Sequence, residues 1–476
     1  MVAADDVPNL IDGVDCAAVS GAWIDKDRPA DGTLLCRVAR SDAEDAAVAV
    51  AVARRAQPAW ADRTSVERGD LVRDIALALR ERREELSAVV AEEIGKPMAL
   101  SLGETDAAIE MGFFVAGEGR RSYGKTMPTS TPHRTVVTIR RPVGVAALLT
   151  SFNTPLPNVA WKAFPSILCG NASVLKPSEH APVSAHLFAR IAHDVGLPAG
   201  VLNVLQGVGN EAGAALVAQS HDRACDLLSF TGSAETGRTI QRHAGLAKLC
   251  LELGGKNALV VCDDADLDDA VRWTIASAFS NAGQRCAAGS RVVVFDSVYD
   301  AFRDRLAETA RALEPELVVS AESRDRILAA ISAAVEGGAE AVAGGGPGPG
   351  SGYAIEPTVL ENVATTADIS GSELFGPVTI LYRVAGLAEA IDLVNDSPYG
   401  LTAAIHTASL HRAMHFAEQA EVGVVVVNGG THGSEPHMGF GGVKQSGNGW
   451  KEAGMEAIEV YSDVRYVNLI SDPSKA

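Results

Sequence analysis

Between Val143 and Gly232 the chain repeats one pattern, a short apolar run followed by a stretch of helical spacing. The runs are VGVAALLT (143–150), ASVLK (172–176), VLNVLQG (201–207) and DLLSFTG (226–232), with helical signal near 157–168, 182–195 and 211–219 between them. A strand that is apolar on both faces must be covered on both faces. Intervening helices supply that cover and return the chain for parallel pairing. A second block follows, through ALVVC (258–262), RVVVF (291–295), EPTVL (356–360), VTILY (378–382) and GVVVVN (423–428). The pattern therefore predicts an α/β chain with parallel sheets, whose ligand sites lie at the carboxyl ends of the strands.

The chain has 476 residues, more than one ordinary core organises, so two or three domains are expected. Its net charge of −19 argues against nucleic acid and anionic membrane, both of which need a basic face. The N-terminal MVAADDVPNL has no basic stretch leading into an apolar core, and no apolar run approaches the ~20 residues of a spanning helix. Seven cysteines without a C-x-x-C pair make a disulfide framework or structural zinc site improbable, and no metal is expected. A reducing, cytoplasmic location fits that usage.

Outside the two blocks, residues 1–40 read as short strands and loops. Ser41 and Glu44 have capping-box spacing and open a helix to about Gln57, ahead of Pro58. Thr64–Glu93 reads as one amphipathic helix, and a third runs from about Leu100 to Gly117. TVVTIRR (135–141) alternates like an exposed strand and RYVNLI (465–470) like a final one, whereas the Gly-rich segment 336–352 reads as a loop.

Several short stretches carry chemistry. In NAGQRCAAG (281–289), Cys286 sits at a helix-to-strand junction among Gly283, Ala287, Ala288 and Gly289, whose small size is expected to leave room beside the sulfur. A lone cysteine is more often a small buried hydrophobe. FTGSAETG (230–237) runs from a strand into a helix, and Gly232, Ser233 and Gly237 could admit a pyrophosphate at the helix N-terminus. Lys176 and Glu179, in LKPSE, could meet a phosphate or ribose hydroxyls, and a carboxylate there disfavours a 2′-phosphate. Glu252, in LELGGKN, lies between leucines, where desolvation would raise its pKa and suit it to general-base work. Asn153, in TSFNTPLPN, could donate to an oxyanion. Glu373 and Phe375, in SELFGPV, could hold ribose hydroxyls and pack a ring. Taken singly, most of these stretches read as well or better as an ordinary turn or cap, whereas a surface carboxylate would sit oddly between Leu251 and Leu253.

Taken together and in order, FTGSAETG, LKPSE, LELGGKN, GQRC, ELFGP and FGGVKQSGNG (440–449) resemble the aldehyde dehydrogenase superfamily, over nearly the whole chain. The resemblance implies two Rossmann-like three-layer domains plus a small β oligomerisation arm. Residues 1–122 and 143–251 would bind NAD, 252–444 would be catalytic, and 123–142 with 445–476 would form the arm of a homodimer or homotetramer. It implies that Cys286 is the nucleophile, Glu252 the base and Asn153 the oxyanion donor, with Lys162 and Glu452 in a proton relay. Lys176, Glu179, Gly232, Ser233, Gly237, Glu373 and Phe375 would contact the cofactor, NAD rather than NADP. Phe152, Thr154 and Phe440 would line the aldehyde pocket.

Two features depart from the family pattern. Thr150-Ser151-Phe152 and Thr154 flank Asn153 where many relatives carry Pro-Trp and an aromatic, and 312–326 is short. Thr154, with His432 and His437 placed near the tunnel mouth, suggests a polar or carboxylated aldehyde. The reaction implied is NAD-dependent oxidation of an aldehyde to the acid through a Cys286 thioester. The competing expectations are a CoA-acylating relative, which Glu252 disfavours, and a non-catalytic dinucleotide-binding protein on the same fold.

Overall fold

The structure is a computed structural model that describes residues 6–221 and 223–475. Two seven-stranded sheets organise it. The first runs in the order Lys248–Glu252, Leu227–Thr231, Val145–Leu149, Ala172–Lys176, Leu202–Val204, Asn9–Ile11, Val14–Cys16. Its first five strands are parallel, and the N-terminal pair closes one edge antiparallel. Every residue of Val145–Leu149 is buried. Successive side chains leave the strand on opposite faces. Ala146 and Leu148 pack with Phe164, Phe188 and Ile75, whereas Val145, Ala147 and Leu149 pack with Ala49, Ala53 and Leu216.

The second sheet runs in the order Glu340–Ala343, Thr358–Glu361, Val378–Val384, Gly289–Phe295, Asn257–Val261, Thr402–His406, Val424–Val427. All its pairings are parallel except that of the edge strand Glu340–Ala343. The same alternation divides its core: Leu259, Val292 and Val294 face one helical layer, and Ala258, Val260 and Val293 the other. A third sheet joins Ser462–Ile470 to Arg134–Pro142 antiparallel along nine residue pairs, with Thr126–Met127 beyond. It leaves Tyr466, Leu469 and Ile470 exposed. Among the described residues no helix is long and apolar enough to cross a membrane.

Four local expectations are corrected. The helix cap is Asp42 with Asp45, one residue along, because Ser41 is buried and donates to Asn9 Oδ1 at 3.0 Å. That helix, Ala43–Ala61, runs past Pro58, held by buried Trp60, whose Nε1 donates to the Ile167 carbonyl at 3.0 Å. The stretch read as one helix over 64–93 is two, Ser65–Glu81 and Arg83–Ile94, broken at Arg82 with φ −104° and ψ 20°. The break lets Leu86 and Val90 enter the same core as Val72, Ile75 and Leu79. The Gly-rich segment 336–352 contains the edge strand Glu340–Ala343, too short for its alternation to stand out from the glycines around it.

Candidate active site

Asn153 and Glu252 both lie at carboxyl ends of strands in the first sheet. Glu252 is the last residue of Lys248–Glu252, and Asn153 lies between Val145–Leu149 and the helix Pro155–Cys169. Cys286 lies just before Gly289–Phe295 of the second sheet. The site is thus assembled where one sheet's exits meet the other's entrance.

The thiol loop is fixed at both ends. Cys286 and Ala288 offer their carbonyls to Asn257 Nδ2 at 2.7 and 2.9 Å. Upstream, Asn281, Ala282 and Gly283 are successive left-handed residues, with φ of 59°, 53° and 65°. Such backbone costs roughly 1–2 kcal/mol at each non-glycine position, so contacts must hold it. Ala282 N donates to Glu316 at 2.6 Å, and Gln284 Oε1 accepts from Val319 N at 2.9 Å. Asn281 Nδ2 donates to the Asn153 carbonyl at 3.0 Å, which ties this loop to the Asn153 turn.

The expectation that small residues leave room beside the sulfur is corrected at two positions. A Cβ on Gly283 would lie 2.2 Å from the Gly376 carbonyl oxygen, and one on Gly289 2.9 Å from Ser277 Cβ. These glycines admit protein rather than ligand. Cys286 itself packs with Ala287, Leu401, Phe440 and Trp161, and the Phe440 and Trp161 rings are 5.6 Å apart. Burial pushes the thiol up to about 12, with Glu373 and Glu252 adding to the rise.

Asn153 is buried, and its carbonyl also accepts from Lys96 Nζ at 2.7 Å. Its Oδ1 accepts from Asn158 Nδ2 at 3.3 Å, while its amide nitrogen meets no acceptor among the described residues. The donor needed for an oxyanion is therefore free. Thr154 receives Asn158 Nδ2 on its hydroxyl at 3.1 Å.

Glu252 is 5 % exposed, and neither carboxylate oxygen has a hydrogen-bond partner among the described residues. Burial, then the nearby charge of Glu452, raises its pKa well above the usual carboxylate range. Glu452 is pinned by backbone exchange with Phe440, at 2.7 and 2.8 Å. Its carboxylate takes Lys162 Nζ at 2.5 and 2.7 Å and the Ser229 hydroxyl. Lys162 also donates to Ser229 at 2.9 Å.

The groups expected at the cofactor lie at the carboxyl ends of the two first-sheet strands that flank Val145–Leu149, and on the segment of Glu373 and Phe375. Lys176 is buried and donates to Glu179 at 3.2 Å. Burial acts to raise Glu179, but Lys176 and a backbone N–H outweigh it and hold the carboxyl below its ordinary value. Ser233 caps the helix Ala234–His243 and accepts from Thr236 N at 3.2 Å. A Cβ on Gly237 would lie 2.6 Å from Leu253, so that glycine serves helix–strand packing. A Cβ on Gly232 would lie 2.3 Å from the Phe230 ring. Glu373 accepts from Gly255 N at 3.0 Å, and burial raises it to about 7. Phe375, at φ 56°, meets Phe152 edge-on at 5.6 Å, and Phe152 meets His180 likewise. Phe152 therefore stands beside Phe375 and the residue after Glu179, with Ile94, Ala181 and Val319 packed around it. Phe440 is the member of the expected pocket set that reaches Cys286.

Sequence reasoning did not find Asn257, Asn281 or Ser229. Ser229 could have been found as the one hydroxyl in the apolar run DLLSF. Asn257 and Asn281 act by donating from their side chains to distant backbone carbonyls, contacts that no local pattern announces.

A nicotinamide dinucleotide fits this frame. The unpaired N–H groups of a helix start and a buried lysine sit at the carboxyl ends of the two strands that flank Val145–Leu149, the donor set a pyrophosphate and ribose require. The aldehyde dehydrogenase family profile matches residues 17–467. Succinate-semialdehyde dehydrogenase (NADP+) GabD of Escherichia coli is 35% identical over 470 residues, covering 96% of each chain. Alpha-ketoglutaric semialdehyde dehydrogenase of Bacillus subtilis is 33% identical, covering 96% of this chain and 97% of that one. Betaine aldehyde dehydrogenase of Staphylococcus aureus, solved in complex with NAD+, superposes with a TM-score of 0.95 at 31% identity, covering 98% of this chain and 95% of that one. The family match spans nearly the whole chain, and this chain belongs to the aldehyde dehydrogenase family.

Proposed function

We propose that this dehydrogenase uses NAD to oxidise an aldehyde to the free acid, with water as the acyl acceptor. The observation that carries the hydrolytic reading is Glu252: a buried carboxylate with both oxygens unpartnered, close enough for its charge to act on the Cys286 thiol. A carboxylate so placed is free to take a proton, first from the thiol and later from water.

The chain's own groups then have these parts. Cys286 attacks the aldehyde carbon, and its proton passes to Glu252. The Asn153 amide and the Cys286 N–H receive the oxyanion, each such donor being worth ~10²–10³ in rate. Bound nicotinamide dinucleotide supplies the hydride acceptor. The acyl group left on Cys286 as a thioester is attacked by water, which Glu252 deprotonates, and the acid leaves. The Lys162–Glu452 ion pair lies close enough for its charges to act on Glu252 and is the group proposed to take its proton onward. Lys176, Glu179, Ser233 and Glu373 are the groups proposed to hold the dinucleotide. Glu179 supports NAD over NADP, because its carboxylate accepts ribose hydroxyls and repels a 2′-phosphate.

The same reading assigns dinucleotide binding to 1–122 with 143–251, catalysis to 252–444, and assembly to 123–142 with 445–476. The exposed Tyr466, Leu469 and Ile470 on the third sheet support a homodimer or homotetramer. Seven free cysteines support a reducing, cytoplasmic setting. The test is to supply aldehyde and NAD without CoA. Sustained NADH formation with release of free acid is expected; turnover that begins only when CoA is added would replace this reading with the acylating one.

A further inference from the structure

Arg285 precedes the nucleophile and rides on the same turn, in which Ala288 N donates to the Arg285 carbonyl at 3.0 Å. Its guanidinium is half-buried, and Nε is out of water with no acceptor. None of its N–H groups bonds to an acceptor among the described residues, and no carboxylate there lies within ion-pair distance. The nearby acidic groups do not close on it: Glu104 meets Lys96 at 2.5 Å through Oε2 and leaves Oε1 buried without a partner, and Glu316 takes Ala282 N at 2.6 Å.

A guanidinium presents five donors in a fixed fork and cannot shed its charge. Leaving it half-buried and unbonded is costly, and a structural arginine would be expected to have closed on Glu104 or Glu316. A second polar group stands unsatisfied nearby. His432 Nδ1 is buried without a partner, and burial, then the Arg285 charge, pushes this imidazole down to about 4. Thr431 fixes its position, donating to the Ala287 carbonyl at 2.7 Å. Beside the sulfur, then, the protein holds a cation that lacks an anion and a neutral imidazole that can donate to one.

We propose that Arg285, assisted by His432, is the specificity-determining residue of the aldehyde pocket and receives the carboxylate of a substrate bearing an acid at the end opposite its aldehyde. This rests on the dehydrogenase reading above. Arg285 binds the far end of the substrate and takes no part in the bond changes at the thiol. In a chain of net charge −19, such a local cation also offsets the general repulsion of an anionic substrate.

The test compares kcat/KM with NAD for matched pairs, 4-oxobutanoate against butanal and 5-oxopentanoate against pentanal. The wild-type protein, R285K and R285M are used. Wild type should favour the carboxylated member of at least one pair by ~10² or more, and R285M should collapse that ratio by ~10²–10³, mainly through KM. R285K should fall between them, keeping the charge without the fork. Glutarate should inhibit wild type competitively and R285M far less. Equal oxidation of both members by wild type, or an equal loss on both in R285M, overturns the subsite while the dehydrogenase reading stands. No NADH from any of the four aldehydes overturns that reading and the subsite with it.

Discussion

Lys162 and Glu452, 290 residues apart in sequence, form an ion pair at 2.5 and 2.7 Å with both side chains almost wholly out of water. Such a pair recovers its desolvation cost only while both partners are present. Lys162→Met should therefore leave an uncompensated carboxylate beside the already raised Glu252 and destabilise the protein by about 3–5 kcal/mol. The double variant K162M/E452M should recover most of that loss. Chemical denaturation of the wild type and both variants checks this, and a double variant no more stable than K162M would remove the pair from the account.

In the proposed mechanism Glu252 serves both halves of the reaction, and its loss should weigh most on the second. Glu252→Gln preserves shape but cannot take a proton from water, so thioester hydrolysis should slow by ~10²–10⁴. Because the thiol has also lost the base that takes its proton, rapid mixing should show NADH rising more slowly than in the wild type and stopping near one equivalent per Cys286, with the acyl group trapped on the protein. Cys286→Ala should abolish burst and turnover alike. A Gln variant that turns over normally would assign the base elsewhere.

Burial, then the charges of Glu373 and Glu252, pushes the Cys286 thiol up to about 12. Deprotonation turns a neutral group into an anion, and neighbouring negative charge opposes that change. In the protein without cofactor, alkylation of Cys286 by iodoacetamide should climb with pH from 7 to 10 without a plateau. Removing one charge with Glu373→Gln should lower the thiol pKa and speed alkylation several-fold at fixed pH. A plateau near pH 8 in the wild type would show a thiol activated before any ligand binds.

The fold was legible because its strands are buried on both faces. Val145–Leu149 and Ala172–Lys176 read as unbroken apolar runs, which only a parallel sheet between helical layers can bury. The candidate reactive groups stood out as an ordered set of motifs, since most of them taken alone read as an ordinary turn, cap or buried small residue. What escaped were interactions whose partners lie far apart in the chain. Pro58 stops a helix in sequence but not in the protein, because Trp60 reaches Ile167. Gly283 and Gly237 were read as space for ligands, whereas Gly376 and Leu253 fill that space. No short window holds both halves of such a contact.

Glu179 bears on the choice of dinucleotide. It lies 3.2 Å from Lys176, on which a ribose 2′-substituent would compete for the same cation. Glu179→Gln removes the repulsion and frees Lys176 to meet a phosphate. The ratio of kcat/KM for NADP to that for NAD should rise by roughly 10–100-fold, since one like charge at close range is worth about 1–3 kcal/mol near a protein surface. Steady-state kinetics with both dinucleotides decide this. An unchanged ratio would place the discriminating contact elsewhere.

Gly441 shows how tightly the base is housed. Its φ is +152°, and a Cβ there would lie 2.5 Å from Glu252 Oε1, 2.9 Å from the Trp450 carbonyl oxygen and 3.0 Å from Lys451 Cδ. Neither the carbonyl nor the carboxylate can stay where it is, so Gly441→Ala should displace Glu252 without altering its chemistry. Hydrolysis needs that carboxylate aimed at a water, and an ångström of misplacement can cost ~10² in rate. The NADH burst should keep nearly its full amplitude while the steady rate falls by ~10-fold or more, a milder form of the Glu252→Gln behaviour. Gly209 provides the control, since a Cβ there meets nothing within 4 Å and its φ is ordinary. Gly209→Ala should leave both phases unchanged. If Gly441→Ala lost the burst and the steady rate in equal measure, its carbonyl contacts, and not Glu252, would be what the missing side chain protects.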